Sequence, residues 1–529
     1  MTSLSVGQDV TDPRGKWARV LEHDGLITFA LVLLAFLIRA VFFYGLFFDD
    51  DQNYVFRAYQ LLHHHALPLY GNNGLRVGTY APAALAYWLF GINSVSIALF
   101  PLALSLLSVA AVYRLGLLLF DRTAAVFAAV LLAFFPLDAE LATRLLPDPL
   151  LSAVSLLTFY ALLRADFENI GQTQIRRKFS YFGAGLLLGY LPMINMSSFP
   201  LLLFFGVYLL GRAVAVVAKA RRTGCPWARQ MIWPALLVIA GFAVFAAGEG
   251  FIYWRDTGDF LHKYRATLSH YNIENVFRPN LRTYPDNMFL LTSHTFSFSR
   301  WKQVPYGFFY FALTAFLAPG LWKWRRRYLP IGAWFLITFG YLQFGSMSFT
   351  EYHPLHRMPR HLEMVTPPMI LLLAAGLAAL AKRRFGKWLS YTTVLFLVVT
   401  SWVILADDHQ KADDALMPQK AIREFVVREK PARVYAYYST FSYQRFLNQF
   451  ATTTKFELLQ SALSSAPEPG YVVLDDLPIT RQILAFHGFK TIPSNWKLAY
   501  RLNVERRPGL PANRQVLIYE VPPRQLVLP

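Results

Sequence analysis

The chain has 529 residues, of which 55% are hydrophobic, 16% aromatic and only 16% charged. A long chain this apolar is not a soluble protein with a greasy core; it reads as an integral membrane protein. Its net charge of +19 comes in short bursts between apolar segments rather than on one face or arm, which excludes nucleic acid as a partner.

In chain order, a polar N-terminal stretch with Arg14, Lys16 and Arg19 precedes the first apolar run. No small-residue cleavage site follows that run, so it is expected to stay as a start-transfer helix. Apolar runs long enough for a bilayer recur to give about eleven transmembrane helices. Their cores are Leu26–Phe48, Ile97–Leu118, Ala124–Leu137, Leu150–Leu163, Phe179–Ile194, Phe199–Val217, Ile232–Phe251, Gly307–Trp322, Leu329–Gly345, Val365–Ala381 and Trp388–Ala406. Basic bursts mark alternate junctions: the N-terminus, Arg114 with Arg122, Arg164 with Arg176–Lys178, Lys219–Arg222 with Arg229, Lys323–Arg327 and Lys382–Lys387. The positive-inside rule puts these in the cytoplasm and turns the intervening junctions outward: Asp49–Thr79, Asp138–Pro149, Trp254–Pro305 and Ser346–Met364. The single cysteine, Cys225, lies in a basic junction and excludes an intramolecular disulfide.

The last span leads outward, so residues 407–529 are expected to form an extracytoplasmic α/β domain after a membrane domain of residues 1–406. Within it, β-rich runs occur at Ala432–Tyr438, Tyr471–Asp476 and Gln515–Val521, with helix-like stretches at Thr440–Phe450 and Phe456–Leu463. It contains neither a glycine-rich phosphate loop nor a nucleophile elbow.

The outer junctions carry the candidate chemistry. The first opens on three consecutive aspartates, Asp49, Asp50 and Asp51, at a membrane surface where carboxylates are costly to hold. The alternative is a solvated, helix-capping turn. The second outer loop holds Asp138, Glu140, Arg144 and Asp148; Pro149 after Asp148 also suits a helix cap. A late outer loop supplies Glu351, His353, His356, Arg357, Arg360, His361 and Glu363. Arg39 lies inside the first span, about 15 Å below Asp49 at helical rise, where it must snorkel or meet an anion. Glu249, between two glycines, is a weaker case of the same kind. His63–His65 cannot all bind one ion, because neighbouring helical side chains point about 100° apart. Asp49–Asp51 could hold a hard divalent cation through oxygen; no other cofactor is predicted. Carboxylates and arginines on one membrane face suit a reaction on an anionic, lipid-linked substrate.

The order of three stretches carries a resemblance: Asp50-Asp51-Gln52-Asn53-Tyr54, then PAALAYWLFGINSVSIALFPLALSLLSVAAVYRLGLLLFDRTAAVFAAVLLAFFPL with RLLPDPLL, then PRHLEMVTPPMILLLAAGLAAL. The chain resembles the dolichyl-phosphate-mannose mannosyltransferase superfamily, with its bacterial protein mannosyltransferase and aminoarabinose transferase relatives, which are membrane-embedded GT-C glycosyltransferases. The resemblance is best over Leu26–Asp166. It implies an α-helical polytopic membrane protein of GT-C type that transfers a sugar from a polyprenyl-phosphate donor on the extracytoplasmic face. The acceptor would be a lipid, protein or polysaccharide. By this resemblance Asp50 is the candidate base, Asp51 the second acid, Asp148 the second-loop aspartate, and Arg360 or Arg357 the late basic residue. Asp49, Tyr54, Arg39, Arg144 and His361 complete the expected site. A lipid or sugar transporter and a polysaccharide polymerase or ligase are the rival readings; the absence of internal repeats counts against the first, and the acids in the first loop count against the second.

Overall fold

The computed structural model describes residues 13–47, 50–64, 73–167, 174–223, 227–273, 308–317, 325–346, 359–447, 453–459, 469–474, 492, 496–503 and 515–521. All eleven apolar cores carry helix among these residues. Those that face the site are α1 (Pro13–Val41), then α2 (Asp51–His64) and α3 (Val77–Phe90), which lie along one end of the bundle. Next come α4 (Ser94–Leu119), α5 (Arg122–Phe134), α6 (Pro136–Leu141) and α7 (Pro147–Phe167). They are followed by α8 (Gln174–Ile194), α9 (Phe199–Thr223), α10 (Trp227–Thr257), α11 (His262–Ile273), α12 (Phe308–Leu317) and α13 (Arg325–Phe344). A 3-10 segment, Pro359–Val365, leads into α14 (Thr366–Ala381), and α15 (Arg384–Glu429) closes the bundle.

Local sequence explains where these helices start and stop. Asn93 and Asp121 cap α4 and α5, their side-chain oxygens accepting from Ser96 N and Ala124 N at 2.9 Å each. Paired prolines open α14 at its first turn, where no amide donor is lost. The first span ends at Val41 rather than Phe48, and beyond it Gly45 takes a left-handed φ of 65° and turns the chain.

Among the described residues, seven helices are long and apolar enough to cross a membrane, and Arg122–Phe134 and Tyr328–Phe344 are shorter apolar helices. The chain is an integral membrane protein. α14 is buried on every side from Thr366 to Ala378, which makes it the central post of the bundle. Leu203, Val207, Leu210 and Val214 on α9 and Ile232, Leu236, Ile239 and Val244 on α10 are instead exposed, an apolar surface that only lipid covers without cost.

The last span does not end at Ala406. It continues without a break to Glu429, a 46-residue helix about 69 Å long at helical rise. Ile422, Phe425 and Val426 near its end pack on Val434, Ala436, Val473, Val516 and Ile518. These residues belong to a five-stranded sheet built of β1 (Arg433–Ala436), β2 (Lys455–Leu458), β3 (Gly470–Leu474), β4 (Lys497–Asn503) and β5 (Gln515–Val521), in the order β2-β1-β3-β5-β4. β1 runs parallel to β2 and β3, whereas β5 is antiparallel to β3 and β4. Alternate residues Tyr435, Val472, Leu474 and Leu517 turn to the opposite face with Leu459 and Val521. Between β1 and β2 lies the helix α16 (Tyr438–Leu447). Phe456–Leu458, expected as the start of a helix, is strand: Phe456 and Leu458 stand opposite Val434 and Ala436. β4 has no counterpart among the expected runs.

Helices α8 and α10 approach closely because Gly185 and Gly189 on one and Gly241 on the other leave room for backbone. A Cβ at Gly185 would stand 2.2 Å from Val238 O, and one at Gly241 would stand 2.3 Å from Phe182 O. Small residues of this kind let helices pack in lipid, where no hydrophobic force joins them. Gly241→Val is therefore expected to destabilise the bundle by about 1–3 kcal/mol, read as a lower midpoint of thermal unfolding in detergent. Gly183→Ala, whose Cβ enters open space, should leave that midpoint unchanged.

Candidate active site

The site forms at one end of the bundle, where the turn before α2, the loop before α7 and the 3-10 segment before α14 meet. Asp50 sits at the N-terminus of α2, its carbonyl accepting from Asn53 N at 2.9 Å and Tyr54 N at 3.3 Å. Pro147 and Pro149 flank Asp148 in the first turn of α7, where helix dipole and proline geometry favour an acid. Arg360 joins the two. Its Nη2 lies 2.5 Å from Asp50 Oδ2 and its Nε 3.4 Å from Asp148 Oδ2. His361 Nε2 is 4.0 Å from the other Asp148 oxygen. Asp148 is buried, whereas 30% of the Asp50 side chain remains exposed, so Asp50 is the carboxylate that a substrate can reach.

Asp51 faces another way. Its carboxylate accepts from Phe47 N at 2.8 Å and stands 3.6 Å from Arg144 Nε, with no exposure of its own. The Arg144 guanidinium covers the Phe47 ring at 4.9 Å and pairs with Glu140 at 3.1 Å. Thr143 Oγ1 also accepts from Tyr44 N at 3.0 Å. Asp51 and Arg144 thus lock the first loop against the second and set the angle at which Asp50 is offered.

A second chain of contacts supports Asp50 from α2 and α3. Asn73 Nδ2 donates to Asp50 Oδ1 at 3.4 Å, and the Tyr54 hydroxyl donates to Asn73 Oδ1 at 3.3 Å. That hydroxyl accepts in turn from Arg76. Burial pushes the Tyr54 phenol up to about 12, with Arg76 drawing it back and Asp50 adding to the rise. Tyr80 holds the turn by donating to Gly74 O at 2.9 Å. Tyr54 was legible in the sequence; Asn73 and Arg76 were not, and the only hint was polar residues clustered at the mouth of an apolar helix.

Arg39 does not snorkel. Its guanidinium is fully buried and pairs with Asp138 in the bundle. Its Nε donates to Ser105 Oγ at 2.7 Å, and Nη1 reaches Ala35 O and Ala133 O at 3.1 and 3.2 Å. Ser105 Oγ donates to Asp138 at 2.8 Å. Glu363, equally buried, accepts from Thr366 Oγ1 at 3.3 Å beside this cluster. Since Glu363 follows Arg360 by one helical turn, this internal cluster pins the segment that carries Arg360. Glu249 likewise finds a partner in Lys263, at 2.7 Å; burial draws the Lys263 ammonium below its usual range while Glu249 opposes that shift.

Of the expected residues, Asp50, Asp148, Arg360, His361 and Tyr54 come together; Asp51 and Arg144 brace them, and Arg39 lies in the cluster beneath. Asp49, Arg357, Cys225 and His65 fall outside the described residues. Among the described residues no group of three or more histidine, cysteine, aspartate or glutamate side chains could hold a metal ion, and Asp50 and Asp51 face different arginines.

Removing the cation of the buried cluster by Arg39→Met should cost about 3–5 kcal/mol of stability, measured by thermal unfolding in lipid. Tyr54→Phe should cost about 1–3 kcal/mol through the stranded Arg76 and Asn73. Because the folded state raises the Tyr54 pKa, its contribution is fully present below pH 10 and lost as pH rises through about 12. The difference in stability between wild type and Tyr54→Phe should follow that curve.

Residues 79–246 match the family model described as dolichyl-phosphate-mannose-protein mannosyltransferase. No curated protein matches the chain. The chain superposes on ArnT from Cupriavidus metallidurans in the apo state with a TM-score of 0.57 at 14% identity, covering 94% of this chain and 98% of that one. For the same protein bound to undecaprenyl phosphate the TM-score is 0.60 at 13% identity, with the same coverage. An oligosaccharyltransferase from Archaeoglobus fulgidus gives 0.49 at 12% identity over 90% of this chain and 72% of that one. The matched stretch includes the Asp138 and Asp148 loop, and along nearly its whole length this chain shares the fold of ArnT from Cupriavidus metallidurans.

Proposed function

We propose that the protein transfers a sugar from a polyprenyl-phosphate donor to an acceptor on the extracytoplasmic face, by a single inverting displacement at Asp50. The observation that carries this reading is the Arg360 guanidinium held between Asp50 and Asp148. It supplies, side by side, a partly exposed carboxylate that can take a proton and a cation that can take a phosphate. The fold shared with ArnT of Cupriavidus metallidurans, a protein solved with undecaprenyl phosphate, supports a lipid phosphate as the anion. The charge pattern of the loops supports the outward face.

In the resting site the base and the cation neutralise each other. A donor phosphate arriving beside Arg360 competes for its N–H groups and loosens its grip on Asp50. The freed carboxylate accepts the proton of the acceptor hydroxyl as that oxygen attacks the anomeric carbon. The bond from that carbon to the phosphate oxygen breaks, and the phosphate leaves with the electron pair. Positive charge develops on the sugar ring, as in other glycosyl transfers, and the departing phosphate meets Arg360. Asp148 keeps the guanidinium in place throughout, and His361 stands ready beside it. One displacement inverts the anomeric configuration. The membrane part, residues 1–406, carries this machinery, and residues 407–529 form the extracytoplasmic part.

Asp50→Asn should lower turnover by about 10²–10⁴-fold with purified protein in lipid, a panel of labelled polyprenyl-phosphate sugars and a membrane extract as acceptor. Turnover close to wild type in a folded Asp50→Asn protein overturns the assignment. Arg360→Lys keeps the charge but loses the planar fork, so it should slow transfer more than it weakens folding.

A further inference from the structure

Helix α11 is fastened across the ends of two other helices. Gly258 takes a left-handed φ of 73° after α10 and turns the chain. Lys263, in the first turn of α11 and 2% exposed, then reaches Glu249 on α10 at 2.7 Å and the Pro192 carbonyl on α8 at 2.6 Å. Pro192 lies in the last turn of α8, where carbonyls have no helical amide left to accept from. A lysine there satisfies one of them and complements the negative end of the helix dipole.

The same two helix ends hold the turn from Asn73 to Thr79. On the α8 side, Ile194 O accepts from Thr79 Oγ1 at 3.0 Å, and the Tyr190 hydroxyl donates to Gly78 O at 2.6 Å. The approach is close enough to require glycine at 78, since a Cβ there would stand 2.8 Å from Ile194 N. On the α10 side, Tyr253 lies one turn beyond Glu249 and donates to Leu75 O at 3.3 Å. The turn so held carries Asn73, which donates to Asp50, and Arg76, which donates to Tyr54.

We propose that Lys263 and Glu249 are positioning residues for sugar transfer. Through α11 they clamp the end of α8 to α10, which fixes the turn at residues 73–79 and, through Asn73, the carboxylate of Asp50. In lipid no hydrophobic force holds two helix ends together, so polar links of this kind set their spacing. The role in transfer rests on Asp50 as the base; the clamp stands on the contacts alone.

The test uses the full chain in lipid with Glu249→Leu and Lys263→Met combined. Replacing a buried ion pair by apolar side chains of similar volume opens the clamp without stranding a charge, so the midpoint of thermal unfolding should stay close to that of wild type. Amides of residues 74–79 should exchange with deuterium about tenfold faster or more, while those of α14 keep their rates. Thr79→Val, which cuts only the bond to Ile194 O, should speed the same amides. Unchanged exchange at 74–79 in both proteins, or an equal rise throughout the bundle, overturns the clamp. In the transfer assay the double variant should lose about 10–100-fold in kcat, with the KM values for donor and acceptor within about twofold of wild type. In an Asn73→Ala background, where the turn no longer reaches Asp50, the same pair of changes should cost less than about threefold. Additive losses, a change confined to KM, or a double variant that does not fold overturns the positioning role. A wild type that transfers no sugar, with exchange at 74–79 responding as expected, would sink the transferase reading and leave the clamp standing.

Discussion

One guanidinium organises the working end of this protein. Arg360 meets Asp50 from the first loop and Asp148 from the second, although 310 residues separate it from the former. A charge at this depth needs a partner, and so do the carboxylates around it. The loops are therefore drawn to one point by the requirement that each charge be matched. The bracing pair Asp51–Arg144 and the deeper cluster of Arg39, Asp138 and Glu363 obey the same rule one layer down. Hydrophobic burial builds the bundle, but ion pairing decides which loop ends meet.

One cation here serves two acids of different setting: Arg360 pairs with Asp50, which stays partly exposed, and with Asp148, buried and fixed at the start of α7.

Much of this was readable from residue order. The helices were legible because twenty apolar residues in a row have few other uses; each of the eleven expected cores holds helix, and among the described residues seven helices are long and apolar enough to cross a membrane. Asp50, Asp148 and Arg360 were legible because they are ionisable residues at the ends of such runs. Two boundaries differ: the first helix ends at Val41, ahead of the turn at Gly45, and the last helix runs on to Glu429, where its apolar residues Ile422, Phe425 and Val426 meet the sheet. Lys455–Leu458 carries too short an apolar run for its period to separate strand from helix; its pairing with β1 settles the matter. Asn73 and Arg76 gave no sequence signal, since their value comes from a tyrosine and an aspartate that the fold brings beside them.

The unbroken helix α15 has a mechanical meaning. One rod spans the apolar layer and then enters the core of the sheet through Ile422, Phe425 and Val426. Transmembrane helices change tilt when the bilayer thickens or thins. A tilt of about 5° would carry the end of the rod, some 35 Å beyond the lipid, sideways by about 3 Å. That is the scale of a hydrogen bond, and the passenger at the far end is the domain whose helix rests on the acid-bearing turn. Lipid composition would thus act as a lever on the geometry of the site, with the stiffness of α15 setting its gain.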